Sequence, residues 1–340
     1  MKRRIVEIIK GTSVGHMLLK TNIYHSIIAN KARHFIENNI VQYTLTKEAI
    51  IEDLTDVKIT YDISFPEYFQ FHFEGKDKNY RHSYVGNNER RRITAHLNSQ
   101  PEILTNKWKA YMALSDYYCR DVCRLESSKD YNAAALFMKQ HPVFIVKPNA
   151  ASKGKGVRIC NTSEDQSSPE SLLKEYRKAI LEELLHEDND LAVFHPKSVN
   201  TLRIVTFYTR TGVECCFPVL RMGVGNAIVD NAGAGGILGS LDENGQIISV
   251  GDELGHVYDA HPDSNILFNG FKVPFFNDAK ELCKEIASKI PENRYCSWDL
   301  ALVNKRWVLI EGNASGHILW QICSGEGIRN QLEDLYKRSI

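Results

Sequence analysis

The chain has 340 residues, 43% of them hydrophobic, and its 42 basic side chains balance 42 acidic ones. That length buries a large core and accommodates one elaborate domain or two to three lobes. Zero net charge excludes a global field that would draw in nucleic acid or an anionic membrane.

No uninterrupted apolar run approaches membrane-spanning length, and the basic start MKRRIVEIIKG lacks a signal-peptide core. Eight cysteines without CxxC spacing read as reduced thiols. The expectation is a cytoplasmic globular protein. Residues 1–60 mix the helical pattern HSIIANKARHFIENNI with VKITYDI, whose alternation predicts a strand. SFPEYFQFHFEGKDKNYRHSYVG alternates aromatic and polar residues around GKDKN, which predicts a hairpin. A half-buried sheet accounts for these aromatics, with Arg90, Arg91 and Arg92 nearby, better than a nucleic-acid platform does. LTNKWKAYMALSDYYCRDV predicts a helix capped by Thr105 or Asn106. From Pro142 onward, short β-rich segments alternate with two helical patterns, PESLLKEYRKAILEELL and FFNDAKELCKEIASKI.

FIVKPNAASKGKGVRI reads as strand–loop–strand. A loop of small residues and glycines leaves N–H groups uncovered, which is the material of an anion-binding concavity. Lys147, near the end of an apolar strand, needs an anionic partner if buried. An ordinary hairpin with solvated lysines fits the same stretch. SWDLALVNKRWVLIEGNASGH predicts two strands joined by a turn at Asn304, Lys305 and Arg306. Pairing Val303 with Trp307 sets Asp299 opposite Glu311, with Asn313 on the same face. Two carboxylates and an amide suit Mg²⁺, whereas a polar face turned to water is the alternative. Arg203 in TLRIVTF and Arg221 in CFPVLRMG sit in apolar strands. Each reads either as half of a structural ion pair or as a bidentate clamp on phosphate or carboxylate.

The lysine with its glycine-rich loop, AILEELL and the DLAL…LIEGN pair resemble the ATP-grasp superfamily. HPKSVNTLRIVTF, RMGVGNAIVDNAGAGGILGSLDENG, HPDSNILFNGFKVPFF and SWDLAL…VLIEGNASG narrow the resemblance to the sugar-transfer-associated ATP-grasp family, related to α-L-glutamate ligases, over residues 65–330. The resemblance implies an α+β fold whose two lobes sandwich ATP. Residues 105–182 would form the lobe with the phosphate loop and 183–340 the lobe with Mg²⁺ and substrate sites. Residues 1–104 would form a cap or substrate region, here without a Rossmann-like βαβ pattern.

The cofactors so implied are ATP and Mg²⁺. Lys107 and Lys147 match phosphate contacts, and Ser152, Lys153, Gly154, Lys155 and Gly156 match the loop that folds over the triphosphate. Glu182, Glu183, Leu184 and Leu185 match the segment that reads the adenine edge, and Asp299, Glu311 and Asn313 match the metal ligands. Arg203, Arg221 and Lys147 form the candidate catalytic set. Asn200, Asp230, Asn231, Gly235, Gly236 and His317 form the candidate substrate set, with His317 favoured as a base over His195, His256 and His261. The implied activity joins a small-molecule carboxylate to an amine through an acyl phosphate, in cell-surface polysaccharide assembly, with a nucleotide-sugar or lipid-linked sugar among the acceptor classes. A small-molecule kinase and a non-catalytic nucleotide-binding module are the rivals, and the intact Asp299, Glu311 and Asn313 disfavour the second.

Overall fold

A computed structural model of the chain describes residues 22–150, 154–228, 230, 235–314 and 319–340. Residues 22–105 are helical: α1 (Asn22–Asn38), α2 (Lys47–Tyr61), α3 (Phe65–Gln70), α4 (Lys78–Ser83), α5 (Asn87–Thr94) and α6 (Glu102–Thr105). Both strand expectations here fail. VKITYDI completes α2, because Thr46 caps that helix and Ile50, Leu54 and Val57 recur at helical spacing on its buried face. The aromatic stretch breaks into α3 and α4, started by a Ser64–Glu67 capping box with Pro66 and by the Asp77 cap. Local signals at the helix starts thus outweigh a short alternation of apolar residues. Tyr68, Phe71, Phe73 and Tyr84 from this region form one buried cluster with Ile50 and Leu54.

The helix predicted over LTNKWKAYMALSDYYCRDV is shorter than expected: α7 spans Lys107–Leu114, capped by the Asn106 side chain, which accepts from the Lys109 N–H, and the chain beyond Tyr117 turns towards a strand. Next come β1 (Val122–Leu125), α8 (Tyr131–Gln140), β2 (Val143–Pro148), β3 (Arg158–Asn161), α9 (Pro169–Tyr176) and β4 (Ala179–Glu183). AILEELL therefore leaves the helical pattern and enters a strand. The four strands form an antiparallel sheet in the order β1-β4-β2-β3. Phe144, Val146, Ala179 and Leu181 pack with Phe137 and Leu172 on one face, so Ile145, Lys147 and Glu182 present on the other.

The second sheet holds β5 (Thr201–Thr209), β6 (Gly212–Met222), β7 (Ile237–Leu241), β8 (Ile247–Gly251), β9 (Tyr295–Val303) and β10 (Arg306–Asn313). Their order is β10-β9-β5-β6-β7-β8, again antiparallel. Between α10 (Asn189–Ala192) and the C-terminal helices α12 (Trp320–Ser324) and α13 (Arg329–Ser339), the long helix α11 (Phe276–Lys289) packs Phe276, Cys283 and Ile286 against Leu202, Leu220, Trp298 and Leu300. Arg203, Arg221 and Asp299, offset by one residue from that packed set, project from the opposite face. Farther along, Val219 and Leu238 receive the helical cap. The eight cysteines are all free thiols, five of them buried.

Candidate functional site

A cleft lies where the lysine face of the first sheet meets the charged face of the second. Lys147, Gly154 and Lys155 line it, as do Glu182, Glu183 and Leu185 at the end of β4. Lys107, Arg203, Arg221, Asp230, Asp299, Glu311 and Asn313 line the remainder. Leu184, Gly156, Asn200, Gly235 and Gly236 do not. Among the described residues, none before Lys107 contributes to the lining. Ser152, Lys153, Asn231 and His317 lie outside the described residues.

On the first sheet, Lys147 donates to Glu182 at 2.9 Å, and the Arg120 Nε and Nη2 donate to the same carboxylate oxygen at 3.0 and 2.8 Å. Burial alone would raise the Glu182 pKa, but the flanking Arg120 and Lys147 cations reverse that and hold the carboxyl at about 2. The Glu182 side chain thus balances charge, a role beyond the adenine contact expected of its backbone. Lys107 opens α7, with its backbone N–H on the Asn149 carbonyl at 3.0 Å, and its ammonium donates to Glu311 at 2.9 Å.

The second sheet carries a row of charges across three strands. The β9–β10 turn has two residues, Asn304 and Lys305, both with positive φ (49° and 62°), so Val303 pairs with Arg306 rather than Trp307. Such a turn matches the twist of its strands. That register alone would set Ile310 opposite Asp299. A bulge between Leu309 and Glu311 inserts one residue and restores the Asp299–Glu311 opposition. The predicted juxtaposition is present, although by a different register.

Asp299 also has Arg203 directly opposite on β5. The Arg203 Nε and Nη2 each donate to it at 2.6 Å, and the Arg221 Nη1 adds a bond at 2.8 Å. Burial favours the neutral acid at Asp299, yet Arg203 and then Arg221 override it and lower the pKa. Arg221 reaches on to Asp230 at 3.1 Å. There desolvation outweighs the arginine and raises the pKa. The repulsion between Asp299 and Glu311 inferred from sequence is relieved by Arg203, Arg221 and Lys107, so it does not by itself demand a metal.

The three candidate metal ligands divide accordingly. Asn313 makes no side-chain hydrogen bond among the described residues, and Glu311 is partly exposed with one oxygen on Lys107. This pair, two residues apart on β10, fits a hard divalent cation that shares phosphate oxygens. Asp299 differs from this pair in that both its oxygens already accept from Arg203 and Arg221.

Asn200 is fully buried and donates to Glu187 at 2.8 Å and to the Leu191 carbonyl at 3.1 Å. It shapes the entry to β5. His195 and His261 are buried and bond the carbonyls of Gly225 and Gly223 at 3.2 and 2.9 Å, while His256 sits on Asp252 at 2.8 Å. Gly236 packs so tightly that a Cβ would lie 2.5 Å from the Asp230 carbonyl oxygen. Sequence reasoning missed Arg120 and Glu187. The first is a lone arginine in SDYYCRDV without a pattern around it. The second, in HEDND, looks like a solvated acidic run, but desolvation pushes its pKa up to about 8.

A family model described as "Sugar-transfer associated ATP-grasp" matches residues 81–337. No curated protein matches. Among solved structures, an ADP complex of N5-carboxyaminoimidazole ribonucleotide synthetase shares 10% identity and a TM-score of 0.41, over 64% of this chain and 46% of that one. D-alanine–D-alanine ligase from Helicobacter pylori shares 14% identity and a TM-score of 0.42, over 69% and 58%. The VanG D-Ala:D-Ser ligase from Enterococcus faecalis shares 11% identity and a TM-score of 0.44, over 68% and 61%. The chain thus spans about half the length of the first structures it matches (46% and 58%).

Proposed function

The chain belongs to the sugar-transfer associated ATP-grasp family, and from that premise we propose that it is an ADP-forming ligase joining a carboxylate to an amine. One observation carries the reading. A single cleft gathers Lys107, Lys147, Arg203, Arg221 and the opposed Asp299–Glu311 pair from two sheets, each of these charges held in a defined pairing. On this reading residues 105–182 and 183–340 are the two nucleotide-binding lobes, and the helical region before them braces the second sheet.

Lys147 and Lys107 turn from Glu182 and Glu311 onto the triphosphate, with Gly154 and Lys155 beside it. Glu183 and Leu185 border the base. Glu311 and Asn313 would hold Mg²⁺, which would supply neutralisation of phosphate charge there. Arg203 and Arg221 orient and stabilise the oxygens at the transferring phosphorus, where preorganised charge acts most strongly. A substrate carboxylate oxygen attacks the γ-phosphorus, the bond to the β-phosphate oxygen breaks, and ADP leaves. The amine nitrogen then attacks the acyl carbon, the acyl C–O bond breaks, phosphate departs and the nitrogen sheds its proton. Sugar acids and amino acids of cell-surface polysaccharide assembly are the substrate class of this proposal, supported by the sugar-transfer association in the family description.

The test is incubation with MgATP and a panel of amino acids and uronic acids, read by mass. Carboxylate-dependent ADP and phosphate, with a hydroxamate trapped by added hydroxylamine, supports the ligase. Phosphate retained on an acceptor hydroxyl makes it a kinase, AMP release rejects both chemistries, and nucleotide binding without turnover leaves a binding module.

A further inference from the structure

Arg120 stands between the two sheets and has no place in the chemistry above. Its side chain is 1% exposed, and all five N–H donors are engaged. Nε and Nη2 hold Glu182 of the first sheet. The Nη1 donates to the carbonyls of Tyr118 at 3.2 Å and Leu309 at 2.6 Å, and Nη2 to that of Ile310 at 3.2 Å. Leu309 and Ile310 form the β10 bulge that sets Glu311 opposite Asp299. One guanidinium therefore ties the lysine partner of one sheet to the bulge of the other. The preceding residue, Cys119, sits at φ 47°, a conformation that costs a non-glycine residue about 1 kcal/mol or more. That strained turn precedes the inward-pointing arginine.

Resting on the ligase reading, we infer that Arg120 is a positioning residue that serves both sheets at once, compensating Glu182 during nucleotide capture and fixing the bulge that aims the metal-binding strand. Two consequences follow from the contacts. When Lys147 leaves Glu182 for the phosphates, Arg120 alone keeps that buried carboxylate compensated, so the lysine is released without stranding a charge. The same side chain fixes the bulge carbonyls, so Glu311 and Asn313 keep their aim whether or not nucleotide is present. A lysine at this position can satisfy Glu182 but lacks the planar fork that reaches both bulge carbonyls.

The experiment compares Arg120→Lys and Arg120→Met with the parent, titrating ADP and then Mn²⁺ into each ADP complex by calorimetry. Arg120→Lys is expected to keep ADP affinity within about 3-fold and to weaken Mn²⁺ by about 10-fold, the loss of one charge-assisted hydrogen bond. Arg120→Met should weaken both, because Lys147 is then the one cation left at Glu182 and its release onto phosphate strands that carboxylate. Equal Mn²⁺ affinity in folded Arg120→Lys overturns the inference, as does an equal loss of ADP and Mn²⁺ affinity in that variant. If Arg120→Met does not fold, Arg120→Lys decides alone. A parent that binds no ADP at all overturns the ligase reading instead.

Discussion

Replacing Lys147 with Met removes one half-buried cation and keeps most of its volume. In the folded chain Lys147 shares Glu182 with Arg120, at 2.9 and 2.8 Å. Orphaning a buried charge costs about 3–5 kcal/mol, but Arg120 remains, so the expected loss of stability is about 1–2 kcal/mol and the variant stays folded. Nucleotide binding suffers more in proportion. One charge-assisted hydrogen bond to phosphate contributes about 1.5–3 kcal/mol, which corresponds to a ~10- to 150-fold rise in the ADP Kd. Acid sensitivity adds a second signature. The Glu182 carboxyl, held at about 2, contributes stability that is present above its unfolded pKa and lost as pH falls toward 2. Without Lys147 its folded pKa rises, so this stability is lost over a narrower and higher pH range. Calorimetry with ADP and urea unfolding between pH 3 and 7 measure both effects. An unchanged ADP Kd refutes the assignment of Lys147 to the phosphates, and an unchanged acid limb refutes the pairing with Glu182.

Glu311→Gln should cut turnover by about 100-fold or more, as removal of a group acting on developing charge does, with stability nearly unaltered because this side chain is partly exposed. Asp299→Asn should instead unfold at markedly lower urea, by about 3–5 kcal/mol, since it leaves Arg203 and Arg221 buried without their shared carboxylate; equal stability of the two variants would contradict this contrast. Glu187, raised by burial to about 8, retains its proton in the folded chain where the unfolded chain has lost it. Folded stability should therefore fall as pH rises from about 4.5 to 8, by up to about 1.4 kcal/mol per pH unit. Urea midpoints at pH 6.5, 7.2 and 8 should slope downward in the parent and flatten in Glu187→Gln, and parallel slopes would remove Glu187 as the cause.

Strong local patterns read correctly from sequence. The α1 and α11 helices, the β2–loop–β3 unit and the β9–β10 hairpin each carry their own periodicity and turn residues. The errors arose where a local pattern was short. VKITYDI and the aromatic stretch after it alternate for only a few residues, while the Ser64–Glu67 capping box, also legible, announced a helix. The hairpin register erred by one for a related reason. Asn304–Lys305 is a two-residue turn, and the compensating bulge offers its carbonyls to Arg120, nearly 190 residues away in sequence.

By itself, the sequence determined which residue types are available to the cleft and which strands they ride on, because strand alternation commits a side chain to one face regardless of what lies beyond. Lys147, Arg203, Arg221, Asp299, Glu311 and Asn313 could all be named on that basis. Only the tertiary structure decided their partners. Strand order set β5 beside β9 and so gave Asp299 to two arginines, and the approach of the two sheets brought Arg120 to both Glu182 and the β10 bulge. Charge pairing is a property of distances below about 4 Å, and in this chain those distances join residues that are 62, 78, 96 and 204 positions apart.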